Sequence, residues 1–219
     1  MGGATGLSQQ QLLALDRVAK LPQAKMLHLV GGSAIAVHFR HRRSEDLDIF
    51  SLTPDVDLHA VRASLAMHVP SLVVRGETDV TLKVAADGAI IDFVRYPYMP
   101  LEPPTPGPGG VLLASVRDLG AMKLAAIATR GIRRDFWDAF VMAKNGHALA
   151  QMAADFRAKF GKEASDLYHV VRALTYFDDA EADPIFPRGM TPALWKRVRT
   201  YFAREAPRLL LELTQPSPR

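Results

Sequence analysis

The sequence predicts a mixed α/β fold of the α+β kind with an all-helical C-terminal part, and three features of its pattern favour this class. In the first half, short β-rich runs alternate with helical patterns. Residues 97–110 are rich in proline and glycine, as is typical of a loop or linker. Beyond this stretch the strand signals nearly vanish and helical patterns follow one another. We therefore expect a sheet-containing core with an N-terminal helix over residues 1–110 and a helical region over residues 111–219.

The first elements are a helix, a strand and a second helix. Residues 8–20 predict an amphipathic helix with Ser8 as its N-cap and an inner side of leucine and valine, namely Leu12, Leu13, Leu15 and Val18. A strand over residues 26–30 then leads through Gly31-Gly32-Ser33 into a helical pattern over residues 34–39. An acidic strand ends near residue 51, and Pro54 or Asp55 opens a helix that runs through Met67.

The remaining strand signals come from three β-rich runs over residues 72–74, 80–84 and 90–94. The pair Asp87-Gly88 predicts a hairpin between the last two. A short strand over residues 111–114 closes the series, and Ser115 caps a helix to about residue 130. Further helices are predicted over residues 136–144, 149–160, 163–177 and 191–213, with an exposed acidic loop over residues 178–183.

Composition limits the possible function. The chain has no cysteine, which excludes disulfides, thiolate metal sites and a cysteine nucleophile. Residues 1–10 lack the pattern of a signal peptide, and no apolar run is long enough to cross a membrane, so we expect a cytoplasmic protein without membrane contact. The net charge is +4. This excess favours a polyanionic partner, although an ordinary basic surface explains it equally well.

Two short segments together suggest phosphoryl-transfer chemistry. Glycines at the strand-to-helix junction let a ligand approach the backbone, Ser33 can cap the helix, and the free amides at a helix N-terminus attract phosphate. In the following strand the period of two places Asp46 and Asp48 on one face, away from Leu47 and Ile49. Two neighbouring carboxylates repel each other by about 3–4 kcal/mol, and a divalent ion such as Mg²⁺ relieves that repulsion. Either segment alone is weak evidence, since turns and exposed strand edges also contain such residues.

A lysine in the helix after Ser115 gives a third indication. Leu119, Lys123 and Ile127 are four residues apart, and Arg130 follows on the same side. A lysine in an apolar stripe commonly extends its ammonium group to the surface. Alternatively, the stripe faces a nucleotide and Lys123 contacts a phosphate.

The motifs resemble those of the AbiEii/AbiGii-type nucleotidyltransferase toxins, a family of the DNA polymerase β-like nucleotidyltransferase superfamily. The resemblance rests on Gly31-Gly32-Ser33, on residues 42–50 (RRSEDLDIF), on residues 118–131 (DLGAMKLAAIATRG) and on residues 134–138 (RDFWD). It implies a mixed sheet with a helical C-terminal part, metal-dependent nucleotidyl transfer and toxicity through nucleotides or tRNA.

The resemblance also implies roles for individual residues. Gly32, Ser33, Lys123 and Arg130 are expected to bind the nucleotide, and Asp46, Asp48, Lys123 and Asp135 are expected to be catalytic. Asp46 and Asp48 are expected to bind Mg²⁺ or Mn²⁺ together with Asp92. Asp92 interrupts an apolar run in a predicted strand, and an exposed edge position is the alternative explanation for it.

The expected function is transfer of a nucleoside monophosphate from an NTP to an acceptor, with tRNA favoured, by a toxin that a cognate antitoxin protein would neutralise. Two alternatives remain open. One is a non-catalytic nucleotide- or RNA-binding module on the same scaffold, and the other is a small-molecule nucleotidyltransferase of the antibiotic-modifying kind. The retained acids argue against the first alternative, because a binding module has no need of paired acids that repel nucleic acid.

Overall fold

The computed structural model describes residues 6–161, 167–184 and 186–214, the last three through their backbone only. It divides into two compact units, residues 1–119 and 120–219. The boundary between the two units therefore lies slightly beyond the predicted linker, within a helix. Within the described part of the chain, no helix is both long and apolar enough to cross a membrane.

The first unit contains one mixed sheet and three helices. The helices are α1 (Gln9–Ala19), α2 (Gly31–Phe39) and α3 (Leu58–His68). The strands are β1 (Leu27–Val30), β2 (Leu47–Ser51), β3 (Val73–Glu77), β4 (Thr81–Ala86), β5 (Ala89–Val94), β6 (Thr105–Pro106) and β7 (Leu112–Leu113). Their order in the sheet is β3-β4-β5-β2-β1-β7-β6. The predicted mixed sheet is confirmed, because the β2–β5 and β1–β7 pairs are parallel and the other pairs are antiparallel.

The core of this unit lies between the sheet and its helices. All four residues of β1 are buried, since β1 is central in the sheet. Helix α2 packs on β1 and β2, α3 packs on β4, and α1 packs on β5. Leu29, Ile49, Leu82 and Phe93 are fully buried in this core. Burial of a large apolar side chain contributes about 1.5–3 kcal/mol, so this packing fixes the strands that carry the acidic residues.

The predicted N-terminal helix forms, but its inner side differs from the prediction. Ser8 and Gln11 form a reciprocal capping box at the start of α1, as expected of an N-cap serine. The buried side of α1 consists of Gln11, Ala14, Leu15 and Val18, whereas Leu13 is 43% exposed. The prediction for Leu13 is wrong because a period of 3.6 turns that position away from Ala14 and Val18.

The predicted hairpin is confirmed, and its turn fixes the register of β4 against β5. Asp87 and Gly88 both have positive φ values, 49° and 81°, as a type I′ turn requires. This two-residue turn pairs Ala86 with Ala89 and continues along the strands to the pair Lys83 and Asp92. Arg17 of α1 forms an ion pair with Asp87 at 3.2 Å, which ties the turn to the first helix.

Two local predictions in this unit need correction. Helix α3 begins at Leu58 and is capped by the carboxylate of Asp57, which accepts hydrogen bonds from two first-turn amides, so Pro54 and Asp55 precede the helix. The proline-rich stretch is not wholly irregular, because it contains β6 and a short 3₁₀ turn, Pro108–Gly110. Asp118, which is 2% exposed, holds this stretch by accepting hydrogen bonds from the amides of Leu101 and Glu102.

The second unit is helical, as predicted. Helix α4 (Val116–Thr129) begins in the first unit after Ser115, whose hydroxyl accepts from the Asp118 amide as expected of a cap. The others are α5 (Arg133–Lys144), α6 (Leu149–Phe160), α7 (Leu167–Ala173), α8 (Asp178–Ala182) and α9 (Pro192–Thr214). The predicted acidic loop is wrong for residues 178–182, which form the short helix α8. Residues 163–166, the start of one predicted helix, lie outside the described residues.

Aromatic packing forms the core of the second unit. The ring of Phe136 lies 5.2–5.9 Å, centroid to centroid, from those of Phe177, Trp195 and Phe202. Helix α9 packs on α5, α6 and α7 around this cluster. Arg133 is also buried, and its guanidinium lies 4.2 Å from the centre of the Phe186 ring. These contacts hold α5, which carries the predicted site residue Asp135, in a fixed position.

Candidate active site

The first part of the candidate site is the acidic face of β2. Leu47 and Ile49 are fully buried, whereas Asp46, Asp48 and Phe50 are partly exposed. The predicted alternation of buried and partly exposed residues is therefore confirmed. Asp48 lies within the central strand β2, whereas Asp46 lies immediately before its first residue, so packing of this strand fixes Asp48 directly.

Gly31, at the junction of β1 and α2, lies directly against the side chain of Asp48. A Cβ atom at position 31 would be only 2.1 Å from Asp48 Oδ2, and the φ value of Gly31 is 61°. Any other residue would therefore clash with the carboxylate and strain the backbone. The Asp48 carboxylate is thus held beside the first turn of α2, where helix amides carry partial positive charge.

Ser33 has a different structural role from the predicted cap. Helix α2 already begins at Gly31, and Val30 occupies the cap position without a side-chain bond. The Ser33 hydroxyl is fully buried, donates to the Val30 carbonyl at 2.9 Å and accepts from the Asp48 amide at 3.4 Å. Ser33 therefore joins the start of α2 to β2 and helps to position Asp48, and its hydroxyl is already used in bonds within the protein.

Asp92 lies next to Asp48 in the sheet. The parallel register of β2 and β5 pairs these two residues, so their side chains leave the sheet on the same face. The antiparallel register of β4 and β5 places Lys83 on the other side of Asp92, and Lys83 Nζ lies 2.9 Å from Asp92 Oδ2. Three acids and one lysine therefore share this face of the sheet.

Lys83 was not predicted from the sequence, although a signal for it exists. The Asp87-Gly88 turn fixes the hairpin register, and counting back from that turn pairs position 83 with position 92. A hydrogen bond from Lys83 to Asp92 and the charge of that carboxylate raise the pKa of the lysine, and the charges of Asp46 and Asp48 add smaller contributions. All three acids therefore stabilise the charged form of Lys83.

Some of the acids on this face are suitable ligands for a hard divalent ion. Carboxylate oxygens are the ligands that Mg²⁺ and Mn²⁺ prefer, and Asp46 and Asp48 are partly exposed on the same side of β2. Among the described residues, however, no three His, Cys, Asp or Glu side chains form a group that could hold a metal. The Lys83 ammonium already neutralises Asp92. The donor set therefore fits a metal at Asp46 and Asp48, while Asp92 is engaged by a lysine.

A second cluster of charged residues is buried in the second unit. Lys123 Nζ lies 2.9 Å from Asp135 Oδ1 and 3.1 Å from Asp138 Oδ2. The side chain of Lys123 is 6% exposed, and the two aspartates are fully buried. Extension of this ammonium group to the surface, one of the two readings of the sequence, is therefore wrong. A buried cation with two carboxylate partners is a strong constraint on both helices.

Arg130 completes this cluster at the end of α4. Its guanidinium donates to both oxygens of Asp135, at 2.8 and 3.0 Å, while remaining 60% exposed. Burial alone would raise the pKa of Asp135, but the charge of Lys123 and the hydrogen bonds from Arg130 outweigh burial and lower that pKa. Asp135 is therefore ionised at neutral pH and positions both cations.

The short connection between α4 and α5 brings this cluster together. Gly131 follows α4 with a φ of 49°, and its amide donates to the Ala126 carbonyl, so the helix ends in a left-handed glycine. Helix α5 then starts at Arg133, earlier than predicted, which places Asp135 and Asp138 one turn apart on the same side. Asp138 received no predicted role, although its spacing from Asp135 is the signal that reveals it.

Comparison with known proteins defines the class of this fold. A candidate nucleotidyltransferase from H. pylori superposes with a TM-score of 0.55 at 17% identity, over 95% of this chain and 100% of that one. The nucleotidyltransferase toxin MenT4 from Mycobacterium tuberculosis H37Rv gives a TM-score of 0.56 at 18% identity, over 90% of this chain and 85% of that one. The mixed sheet and helices are those of a nucleotidyltransferase.

A family model then narrows the class. Residues 59–212 match the model described as nucleotidyl transferase AbiEii toxin, type IV toxin–antitoxin system. The chain therefore belongs to the AbiEii nucleotidyltransferase toxin family, and it is a nucleotidyltransferase. A relative from Aquifex aeolicus (strain VF5), the uncharacterized protein aq_aa25, is 30% identical over 202 residues, which are 91% of this chain and 95% of that protein. The predicted family is thus confirmed, and the matched residues include the segments 118–131 and 134–138.

Proposed function

We propose that this nucleotidyltransferase transfers a nucleoside monophosphate from an NTP to a polyanionic acceptor, tRNA, and that it depends on Mg²⁺ or Mn²⁺. The observation that carries the proposal is the Asp48 carboxylate, which lies against Gly31 at the start of α2 and shares a face with Asp46. Amides that favour phosphate and acids that favour a divalent ion thereby meet at one junction.

The phosphate-binding role belongs to the backbone of the α2 start. The Ser33 hydroxyl is buried in bonds to Val30 and Asp48, so Ser33 acts by shaping this turn. The amide of Gly32, in the first helical turn, is available for the triphosphate in the way that helix N-termini bind anions. Gly31 is essential to the arrangement because no side chain fits between α2 and Asp48.

Asp46 and Asp48 are the residues that would hold the metal ion. When bound, Mg²⁺ or Mn²⁺ supplies Lewis acidity that favours deprotonation of the acceptor hydroxyl and neutralises negative charge on the pyrophosphate. Asp48 is positioned for this task by its backbone bond to Ser33. Asp92 is the third candidate ligand, and Lys83 pairs with its Oδ2, so a metal would either use Oδ1 or compete with Lys83.

We assign Lys123 and Arg130 to binding of the phosphates, and we assign Asp135 to positioning of these two cations. Asp135 and Asp138 lie 2.9 and 3.1 Å from the buried Lys123 ammonium group, so two carboxylates fix its position. Arg130 remains largely exposed although Asp135 fixes it through two hydrogen bonds. A fixed, charged and accessible guanidinium suits stabilisation of charge that develops on a phosphate.

The net charge and the family together support the proposed partners. The chain carries +4 although its candidate site contains several acids, so its remaining surface favours a polyanion such as tRNA. Membership of a type IV toxin–antitoxin family supports a cognate antitoxin protein and action in the cytoplasm, where NTPs and tRNA are present.

One observation favours a second candidate, nucleotide binding that does not depend on a metal ion. Lys83 already supplies a positive charge to Asp92, so one acid of this face is satisfied without a metal. In that case the protein would bind an NTP with little dependence on divalent ions. Metal dependence of nucleotide binding therefore separates the two candidates.

The experiment that tests the acceptor is incubation of the protein with each labelled NTP, Mg²⁺ and total tRNA. We expect label in RNA, and we expect the yield to fall steeply between about 50 and 200 mM salt, since a protein that releases several counterions loses about a hundredfold or more in affinity. Label on a small hydroxylated compound or on a protein side chain instead of RNA would contradict tRNA as the acceptor while preserving nucleotidyl transfer.

A further inference from the structure

Helix α9 borders two clefts that the candidate active site does not use. The first has a volume of about 470 Å³ and lies between α5 and α9. The second has a volume of about 390 Å³ and lies between α9 and Phe177. Lys196 and Thr200 line both clefts, so the two clefts are adjacent around α9 and lie on either side of the ridge that these two residues form.

The residues that line these clefts include many cations and no acid. The basic residues are Lys144, Lys196, Arg197, Arg199 and Arg204. Arg199 is paired with Glu181, and Arg204 is paired with Glu205 at 2.6 Å. For Lys144, Lys196 and Arg197, no carboxylate of the described residues lies within ion-pair distance. Within the part of the chain that the structure describes, these three positive charges have no carboxylate partner, which favours an anionic ligand at the clefts.

Aromatic rings lie between these cations. The Lys144 ammonium lies 5.0 Å from the centre of the Tyr201 ring and 5.8 Å from that of Phe140. Tyr201 is partly exposed in the first cleft, and Phe177 is partly exposed in the second. Proteins bind single-stranded nucleic acid by combining cations that contact its phosphate backbone with aromatic rings on which its bases stack.

We propose that these two clefts form a binding groove for a single-stranded segment of the RNA acceptor. The proposal rests on the proposed function, because an RNA acceptor gives the groove its ligand. Lys196 and Arg197 contact phosphates from the second turn of α9, and Lys144 contacts a phosphate from α5. The concave shape of the clefts and their aromatic lining favour a ligand with nucleobases. An acidic protein could bind through the surface cations alone and would need neither feature.

The test is RNA binding by the full-length protein without NTP or metal, measured by fluorescence anisotropy with a labelled single-stranded RNA of twelve nucleotides. The double variant Lys196→Gln/Arg197→Gln removes two exposed groove cations. Its matched control, Lys25→Gln/Arg75→Gln, removes two exposed cations from the first unit. We expect the groove variant to bind about tenfold or more weakly and the control to bind within about twofold of the wild-type protein. Each lost phosphate contact should reduce the salt slope by about 0.7.

Three outcomes would overturn the groove: equal weakening in both variants, unchanged binding in both, or an unchanged salt slope in the groove variant. Groove-dependent binding of poly-glutamate that is tighter than binding of RNA would also overturn it, in favour of an acidic protein partner. Because no NTP is present, the result does not depend on catalysis. Loss of RNA binding in the groove variant supports the groove even if label transfer to RNA fails, whereas label transfer at wild-type efficiency in that variant, with RNA far below saturation, contradicts it.

Discussion

At the scale of single residues, the acidic face of the sheet is a balance between three carboxylates and one ammonium group. Asp48 is fixed by the close approach of Gly31 and by its bond to Ser33. Asp92 is fixed by Lys83, which is 50% exposed and therefore contributes only modestly to stability. A partly exposed lysine at this position is better placed to control charge than to hold the fold together.

Lys83→Met tests this control of charge. Removal of the ammonium group leaves Asp92 available and makes the face more negative, so we expect tighter binding of divalent ions. An exposed ion pair of up to about 1 kcal/mol corresponds to about fivefold in affinity. Mn²⁺ binding to the NTP-free protein, measured by titration calorimetry, checks the prediction, with Lys25→Met as the control for loss of one exposed lysine. Unchanged or weaker Mn²⁺ binding in Lys83→Met would show that Lys83 does not compete with a metal.

At the scale of secondary-structure elements, the α4–α5 pair is held by buried charge. Lys123 forms ion pairs with Asp135 and Asp138 of α5, and Arg130 forms a second ion pair with Asp135. The buried position of Lys123 has a consequence for mutagenesis. A substitution that removes this ammonium group also leaves buried carboxylates without their partner, so loss of activity alone cannot assign Lys123 to catalysis.

Lys123→Met should therefore lower the free energy of unfolding by about 3 kcal/mol, at the low end of the range for a broken buried pair, because Arg130 still compensates Asp135. Urea denaturation measures this change. Arg157→Met, at an exposed position of α6, is the control and should change stability by less than about 0.5 kcal/mol. The double variant Lys123→Met/Asp138→Asn should recover part of the loss, since it also removes one of the carboxylates that Lys123 neutralises. Wild-type stability in Lys123→Met would contradict the buried cluster.

The lowered pKa of Asp135 predicts a specific pH dependence of stability. Its pKa in the folded protein is lowered, so its contribution is fully present above the unfolded value of about 3.9 and is lost as the pH falls through the folded value. The difference in unfolding free energy between the wild-type protein and Asp135→Asn should be constant from about pH 7 to pH 5 and should shrink below about pH 4. Denaturation curves at several pH values measure it. A difference that stays constant or grows down to pH 3 would contradict an ionised, stabilised Asp135.

Much of the element order could be predicted from the sequence, because periodicity and turn residues determine it locally. The Asp87-Gly88 turn even fixes the register that brings Lys83 to Asp92. The burial of Ser33 could not be predicted in this way, since it depends on the amide of Asp48 on a neighbouring strand. Lys123 is a similar case, because its burial depends on two partners that only the sharp turn at Gly131 brings near. Local patterns identify the elements, whereas these contacts arise from packing.

At the scale of the whole molecule, the excess positive charge lies in one of the two units, because residues 1–119 contain 11 Lys and Arg and 12 Asp and Glu, whereas residues 120–219 contain 16 and 11. The first unit carries the partly exposed acids Asp46, Asp48 and Asp92, and the second unit carries the basic clefts beside α9. The net charge of +4 hides this separation. Under the proposed function, the acids would hold a metal ion and the cations would hold a polyanion, and transfer of a nucleotide to a nucleic acid needs both.

The most direct test of nucleotidyl transfer uses the position of the label within the NTP. With tRNA and Mg²⁺ present, an NTP labelled at the α-phosphate should yield labelled RNA, whereas the same NTP labelled at the γ-phosphate should yield labelled pyrophosphate and no labelled RNA. Asp48→Asn, which keeps the shape of the side chain and removes its charge, should lower the yield by about a hundredfold or more while remaining folded. RNA labelled from the γ-phosphate, or full transfer by folded Asp48→Asn, would contradict the account.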